Sequence, residues 1–382
     1  MQHLSLAFTG GSVFDGTGSD PVRTDVGVTG DRITAVGIDE VAAGIGPETR
    51  VIELDGRMLL PGIIDAHVHP VEGGIERLGC DLSSGYTRED YLRIVREYVE
   101  AHPDTEWIIG GGWQMAAFPD GFPLASDLDE ICADRPMLIS NRDHHSTWAN
   151  SEALRRAGIT SETPDPEDGR IERDADGNPS GTLHEGARML TLRFAPEPTR
   201  ELMYAGLMSA QEYLHAYGIT AWQDALIGDY GNHSSQEVQV YREAIERDEF
   251  HARANGAIWW DRNRGAEDED IDAQIDELEA LRREFHGDRF SVTTVKIMQD
   301  GVVENRTAAV IEPYLAPGCE APQQSMPGGC ACGDPADTGI SFLEPETLNR
   351  VVTRLDALGI QVHIHAIGDR GVRESLDAVE AA

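Results

Sequence analysis

Residues 59–70 read LLPGIIDAHVHP, an apolar run that closes on His67 and His69. Side chains alternate across a strand, so residues two apart share a face. The run therefore reads as a strand that delivers two imidazoles to one side at its carboxyl end. Four later runs follow the same pattern: GITAWQDAL (218–226), FHARANGAIWW (250–260), SVTTVKIMQDG (291–301) and GIQVHIHAIGD (359–369). Each follows a helical segment, and apolar residues recur at helical spacing over 198–216, 270–285 and 345–358. Near-continuous apolar strands alternating with helices specify a parallel α/β sheet. Polar residues gathered at successive strand ends point to a (β/α) barrel, whose active site lies on that face.

Upstream, residues 1–60 alternate in short runs broken by DGTG and TGDR, which is strand-and-turn chemistry. They are expected to form the N-terminal part of an antiparallel β-sandwich. Residues 61–69 form the first barrel strand. Residues 70–190 are too long for a bare loop and form an insertion subdomain. Residues 191–382 carry barrel strands two to five with their helices. The fold class is thus α/β, a partial TIM-type barrel with a sandwich segment and a long insertion.

Composition narrows the setting. The 382 residues hold 68 acids against 31 bases, a formal net charge of −37, and Lys296 is the single lysine. Such charge repels itself at low salt, whereas molar salt shortens the Debye length to ~3 Å and screens it. A salt-rich cytoplasm accounts for both the acidity and the arginine. Base-composition bias toward arginine accounts for the lysine loss alone. Lysine scarcity argues against a hyperthermophile. The acidic balance argues against nucleic acid and anionic membranes as partners. No apolar run reaches membrane-spanning length, and MQHLSLAFTGG lacks the basic start of a signal peptide. Cys80 and Cys132 sit in ordinary contexts. Cys319, Cys330 and Cys332 share a Pro/Gly-rich loop. Their spacing fits no standard zinc pattern, and free thiols in a reducing cytoplasm are the plainer reading.

The chemistry-bearing residues lie at the strand ends. His67 and His69, beside Asp65, are half of a metal site or a pair of satisfied core histidines. Lys296 lies within an apolar strand, where an isolated ammonium is too costly to bury. It must be neutralised, paired or modified. A desolvated lysine reacts as an amine and forms a carbamate or a Schiff base; arginine does neither, because its guanidinium stays charged. The neighbouring histidines favour metal, with a carbamate bridging two ions. His365 is the better ligand of the pair at 363 and 365, while His363 lies deeper and reads equally as barrel packing. Asp300 positions substrate, supports a ligand or caps its loop. Trp113, Phe118, Trp259 and Trp260 are candidates to line an apolar pocket, or else core.

These motifs carry a resemblance. LLPGIIDAHVHP, VKIMQDGVVENRTAAV and QVHIHAIGDRG resemble the amidohydrolase superfamily. More narrowly they resemble its amidohydrolase-3 branch, which includes N-substituted formamide deformylases and YtcJ-like proteins. NRDHHSTWANSEALRRAGI and DGRIERDADGNPSGTLHEGA in the insertion resemble it too. The resemblance implies one or two divalent metals, zinc foremost, with His67 and His69 on the more buried ion, Lys296 bridging and His365 on the second. It implies that His145 approaches the substrate. Members of the branch carry a further metal histidine on strand six and a catalytic aspartate on strand eight. This sequence stops at RESLDAVEAA, after strand five, so no catalytic residue is assigned and a C-terminally incomplete chain is expected. The expected activity is metal-dependent hydrolysis of a non-peptide C–N bond in an amide or formamide-like small molecule. Alternatives are a deaminase, an ester hydrolase or a truncated, non-catalytic binding protein, and a homo-oligomer stays open.

Overall fold

The structure is a computed structural model that describes residues 3–166, 168–228, 234–315 and 337–382. Cys319, Cys330 and Cys332 lie outside the described residues. The chain forms two units, Met1–Ile64 with Gly218–Thr220 and Asp65–Tyr217 with Ala221–Ala382.

The first unit holds two small sheets, one of four strands and one of three. Leu6–Thr9 pairs antiparallel with Val26–Thr29 but parallel with Arg50–Glu53. The sheet is therefore mixed, where alternation alone led us to expect antiparallel pairing. The cause is the helix Ile38–Gly44, absent from the strand reading, which lies between the strands Arg32–Val36 and Arg50–Glu53. Parallel pairing needs such a crossover. Leu4, Ala7 and Val41 form the small core.

A further sheet has five strands. Its strands are β1 (Ile63–Val68), β2 (Ile219–Ile227), β3 (Arg253–Trp259), β4 (Phe290–Met298) and β5 (Gln361–His365), lying in space in the order β5-β4-β3-β2-β1. The pairs β2/β3, β3/β4 and β4/β5 are parallel. The strands alternate with helices Arg200–Ala216, Ser234–Glu246, Asp268–Glu284 and Pro345–Ala357, and Asp369–Ala381 follows β5. This is half of a (β/α) barrel. The helix Arg200–Ala216 begins at a start signal, Thr199, whose hydroxyl accepts from Leu202 N–H. Among the described residues, no helix is long and apolar enough to cross a membrane.

Between β1 and β2 the chain builds a six-stranded mixed sheet, from Cys80–Asp81 at one edge to Gly169–Arg173 at the other. Its core corrects the pocket reading of two aromatics. Trp113 and Phe118 pack edge-on at 5.7 Å, Phe118 meets Trp148 at 5.2 Å, and Trp113 Nε1–H donates to Ile139 O at 2.8 Å. They fill the insertion core. Trp259 and Trp260 are buried as well. One polar row is sealed between β2 and the helix Ser234–Glu246: Trp222 Nε1–H donates to Tyr241 Oη, which donates to Asp224. Burial pushes the Asp224 carboxyl well above its usual range.

Candidate functional site

β1 presents His67 and His69 with ring centroids 5.2 Å apart and planes perpendicular. Asp65 turns back on the strand, its Oδ1 accepting from His67 N–H at 3.0 Å. On β4, Lys296 lies in register between Trp259 of β3 and His363 of β5. Lys296 is 3% exposed. No carboxylate pairs with it among the described residues, and burial lowers its amine to about 8.

His363 does more than pack the barrel. Its Nε2 lies 3.0 Å from His67 Nδ1, and its Nδ1 lies 2.7 Å from the Gln223 amide nitrogen on β2. Gln223 thus donates to His363, and His363 donates to His67. Turning the Gln223 amide over reverses both bonds and leaves a lone pair on His67 Nε2, because each ring nitrogen's state is set by the bond at the other. The β5 residue nearer the strand end, His365, is directed elsewhere. Its Nε2–H donates to Gly301 O at 3.1 Å, and its ring lies 5.1 Å from that of His145.

The electrostatics of this group are uniform. Burial lowers His69, His363 and His365 each to about 4, and Lys296 adds to the effect. His67 moves the same way for the same reasons. At neutral pH all four are neutral imidazoles, the form that ligates metal. His69 Nδ1 is buried without a hydrogen-bond partner, which ordinarily costs ~1–3 kcal/mol. Neutral imidazoles, an amine weakened by burial and an orphaned ring nitrogen make a donor set that fits a divalent cation. Among the described residues, no three His, Cys, Asp or Glu side chains are gathered tightly enough to hold one ion by themselves. The structure brings His67, His69 and His363 together beside Lys296 and sets His365 against His145.

Asp300 is hydrogen-bonded to its loop. It is fully buried and accepts three backbone N–H groups, from Ala309, Ile367 and Gly368, at 2.8–2.9 Å. Its Oδ1 is 3.9 Å from His365 Nε2.

The insertion contributes His145, 9% exposed, whose Nδ1 is 2.9 Å from Glu185 Oε1. Neither Glu185 nor the neighbouring His144 was singled out by spacing. His144 has a left-handed backbone, φ 64°. Its ring is clamped by two carboxylates one turn apart on the helix Pro70–Leu78: Glu72 at 3.0 Å and Glu76 at 3.4 Å. Burial opposes the imidazolium, and the two carboxylates outweigh it, holding His144 well above its usual value. A raised folded-state pKa gives stability that is fully present below the unfolded value of 6.5 and is lost as pH rises through the folded one. His144→Gln is therefore expected to cost about 1.5–3 kcal/mol at pH 6 and much less at strongly alkaline pH. Urea unfolding of both proteins across that range checks it; an equal cost at all pH values would contradict the ion-pair account.

A second polar row has the residue types of a hydrolytic triad. Ser146 Oγ is 2.8 Å from His184 Nδ1, and His184 Nε2 is 3.1 Å from Glu172. Ser146 and His184 are fully buried within the six-stranded sheet, so no substrate reaches that hydroxyl.

The chain is similar to known proteins. The profile described as the Amidohydrolase family matches residues 50–382. YtcJ of Bacillus subtilis (strain 168) is 31% identical over 92% of this chain and 63% of its own length. N-substituted formamide deformylase of Arthrobacter pascens is 25% identical over 93% of this chain and 61% of its own. The chain thus spans a little over three-fifths of these two relatives. Among solved structures, an uncharacterized metal-dependent hydrolase from Pyrococcus horikoshii OT3 superposes with a TM-score of 0.64 at 21% identity, covering 98% of this chain and 68% of that one.

Proposed function

Because the chain belongs to the amidohydrolase family, in its amidohydrolase-3 branch, we propose that it is a metal-dependent hydrolase of a non-peptide C–N bond in a small amide or formamide. The observation that carries this reading is the set of four neutral imidazoles around a buried lysine that has no counter-charge among the described residues. His67, His69, Lys296 and His365 would hold one or two divalent ions, zinc foremost, with Lys296 as free amine or carbamate. When bound, such an ion acidifies a water and polarises a carbonyl. The chain's own residues do the rest. The Gln223–His363 pair orients the His67 ring, Asp300 clasps the loop that holds Gly301 against His365, and His145 meets the substrate. A small-molecule substrate, with neither nucleic acid nor membrane as partner, suits the acidic composition, as does a salt-rich cytoplasm.

The test is turnover by the zinc-loaded protein at high salt, with chelator-treated protein as control. Three substrates distinguish the readings: an N-alkylformamide, a cyclic amidine and a simple ester. Formate released only by the loaded protein is the expected result. Ammonia from the cyclic amidine alone would make it a deaminase, and hydrolysis of the ester alone an esterase. No metal-dependent turnover of any would leave a binding protein.

A further inference from the structure

We propose that Glu185 is a positioning residue that locks His145 with its proton on Nδ1, so that Nε2 accepts a hydrogen bond and the site selects amides retaining an N–H on the scissile bond. The substrate half of this inference rests on the C–N hydrolase reading; the tautomer half does not.

The lock is built from three separate segments. His145 Nδ1 lies 2.9 and 3.0 Å from the two oxygens of Glu185. Glu185, 6% exposed, also accepts from Thr307 Oγ1 at 2.9 Å and Asn305 Nδ2 at 3.3 Å, both in the loop after β4. Its own backbone N–H donates to His145 O at 3.0 Å, so the two residues are joined at main chain and side chain. Glu185 holds φ 47° and ψ −126°, a region unfavourable for a non-glycine residue that persists only where the surroundings impose it. Gly301 leaves the space: a Cβ there would lie 2.1 Å from Thr307 Oγ1 and 2.7 Å from Glu185 Oε1.

The consequence follows from donor counting. Thr307 Oγ1 and Asn305 Nδ2 both donate to Glu185 Oε1, the pattern of an ionised carboxylate. An ionised carboxylate only accepts, so the proton between the two residues belongs to His145 Nδ1. With the proton on Nδ1, the uncharged form of the imidazole carries its lone pair on Nε2. That nitrogen has no protein hydrogen-bond partner among the described residues, and its ring faces His365. A primary or secondary amide offers an N–H to it. A tertiary amide offers an alkyl group and an ester only lone pairs, which leaves the acceptor unpaired. Sites built around such a bond discriminate strongly against analogues that lack it.

Two measurements test this. Nitrogen-15 NMR of histidine-labelled, metal-free protein at pH 8 and high salt reads the tautomer, with His145→Gln identifying the signal. The proton is expected on Nδ1. In Glu185→Gln, Thr307 and Asn305 donate to the Oε1 position and hold the amide oxygen there. The amide NH2 then faces Nδ1, and the His145 proton is expected to move to Nε2. In parallel, kcat/KM is compared for N-butylformamide and N-butyl-N-methylformamide. The zinc-loaded protein is expected to favour the first by at least about 100-fold, and Glu185→Gln to lose most of that ratio. A wild-type proton on Nε2 overturns the lock, and equal kcat/KM values overturn the selectivity. Should Glu185→Gln fail to fold, the wild-type spectrum and substrate pair still decide. An Nδ1 proton with neither formamide hydrolysed leaves the lock standing and strikes the hydrolase reading beneath the substrate half.

Discussion

Lys296→Met is expected to stabilise the metal-free protein at pH 7 while abolishing metal binding. Burial lowers the Lys296 amine from 10.5 to about 8, so below pH 8 the folded chain holds an ammonium in a place that disfavours it. The difference corresponds to about 3 kcal/mol of stability withheld at neutral pH. It returns between pH 8 and 10.5, where the folded chain has released a proton that the unfolded chain still binds. Methionine is unbranched, of similar length and uncharged. The variant should therefore gain about 3 kcal/mol at pH 7, and its advantage should fade toward pH 10.5. Lys296→Arg should behave oppositely, since it keeps a permanent cation and adds volume, costing about 1–3 kcal/mol. Both variants should lose zinc affinity by at least about 100-fold, the effect of ~2.8 kcal/mol. Urea unfolding with chelator at several pH values, together with zinc dialysis, reads both effects. A Lys296→Arg protein that keeps its zinc, or a Lys296→Met protein less stable than wild type at pH 7, would contradict the role given to this lysine.

Asp300→Ala should be among the most destabilising single changes in the chain. It strands three backbone N–H groups, of Ala309, Ile367 and Gly368, that now end on one buried carboxyl. Each unsatisfied donor costs ~1–3 kcal/mol, so a total of about 3 kcal/mol or more is expected even if water reaches one of them. Asp300→Asn should recover only part of the loss, because one end of an amide carries hydrogens where acceptors are needed. Zinc affinity should change only as far as the loop carrying Gly301 shifts. The same unfolding and dialysis experiments decide. Near-normal stability combined with weakened substrate binding would move Asp300 from loop clasp to substrate contact.

The barrel strands were legible because their signal is local. An apolar run ending in polar residues fixes strand, face and end without knowledge of neighbours, and His67, His69, Lys296 and His365 all fall at such ends. Pairings across the sheet were not legible. His363 and His67 are 296 residues apart in sequence, and their 3.0 Å contact depends on the strand order. Sequence left His363 as readily packing as function; the structure sets it in register with Lys296 and against His67. The same holds for Glu185, 40 residues from His145, and for Glu72, 72 residues from His144. Glu185 did leave a trace: it ends the strand Pro179–Glu185 and precedes Gly186. The aromatic residues stood open between pocket and core. Trp113 and Phe118 lie in the core of the insertion, whose strands approach closely at glycine. At Gly110, a Cβ would stand 2.0 Å from the Cys80 carbonyl oxygen.

The central claim is that His67, His69, Lys296 and His365 hold the catalytic metal. Anomalous scattering at the zinc edge, from crystals of the protein grown with zinc at high salt, tests it most directly. The account predicts a peak within about 2.0–2.1 Å of ring nitrogens of both His67 and His69, with Lys296 or its carbamate on the same ion and His365 turned from Gly301 toward a second. Zinc held only by Cys319, Cys330 and Cys332, or no ordered zinc while His363 keeps its bond to His67, would contradict it.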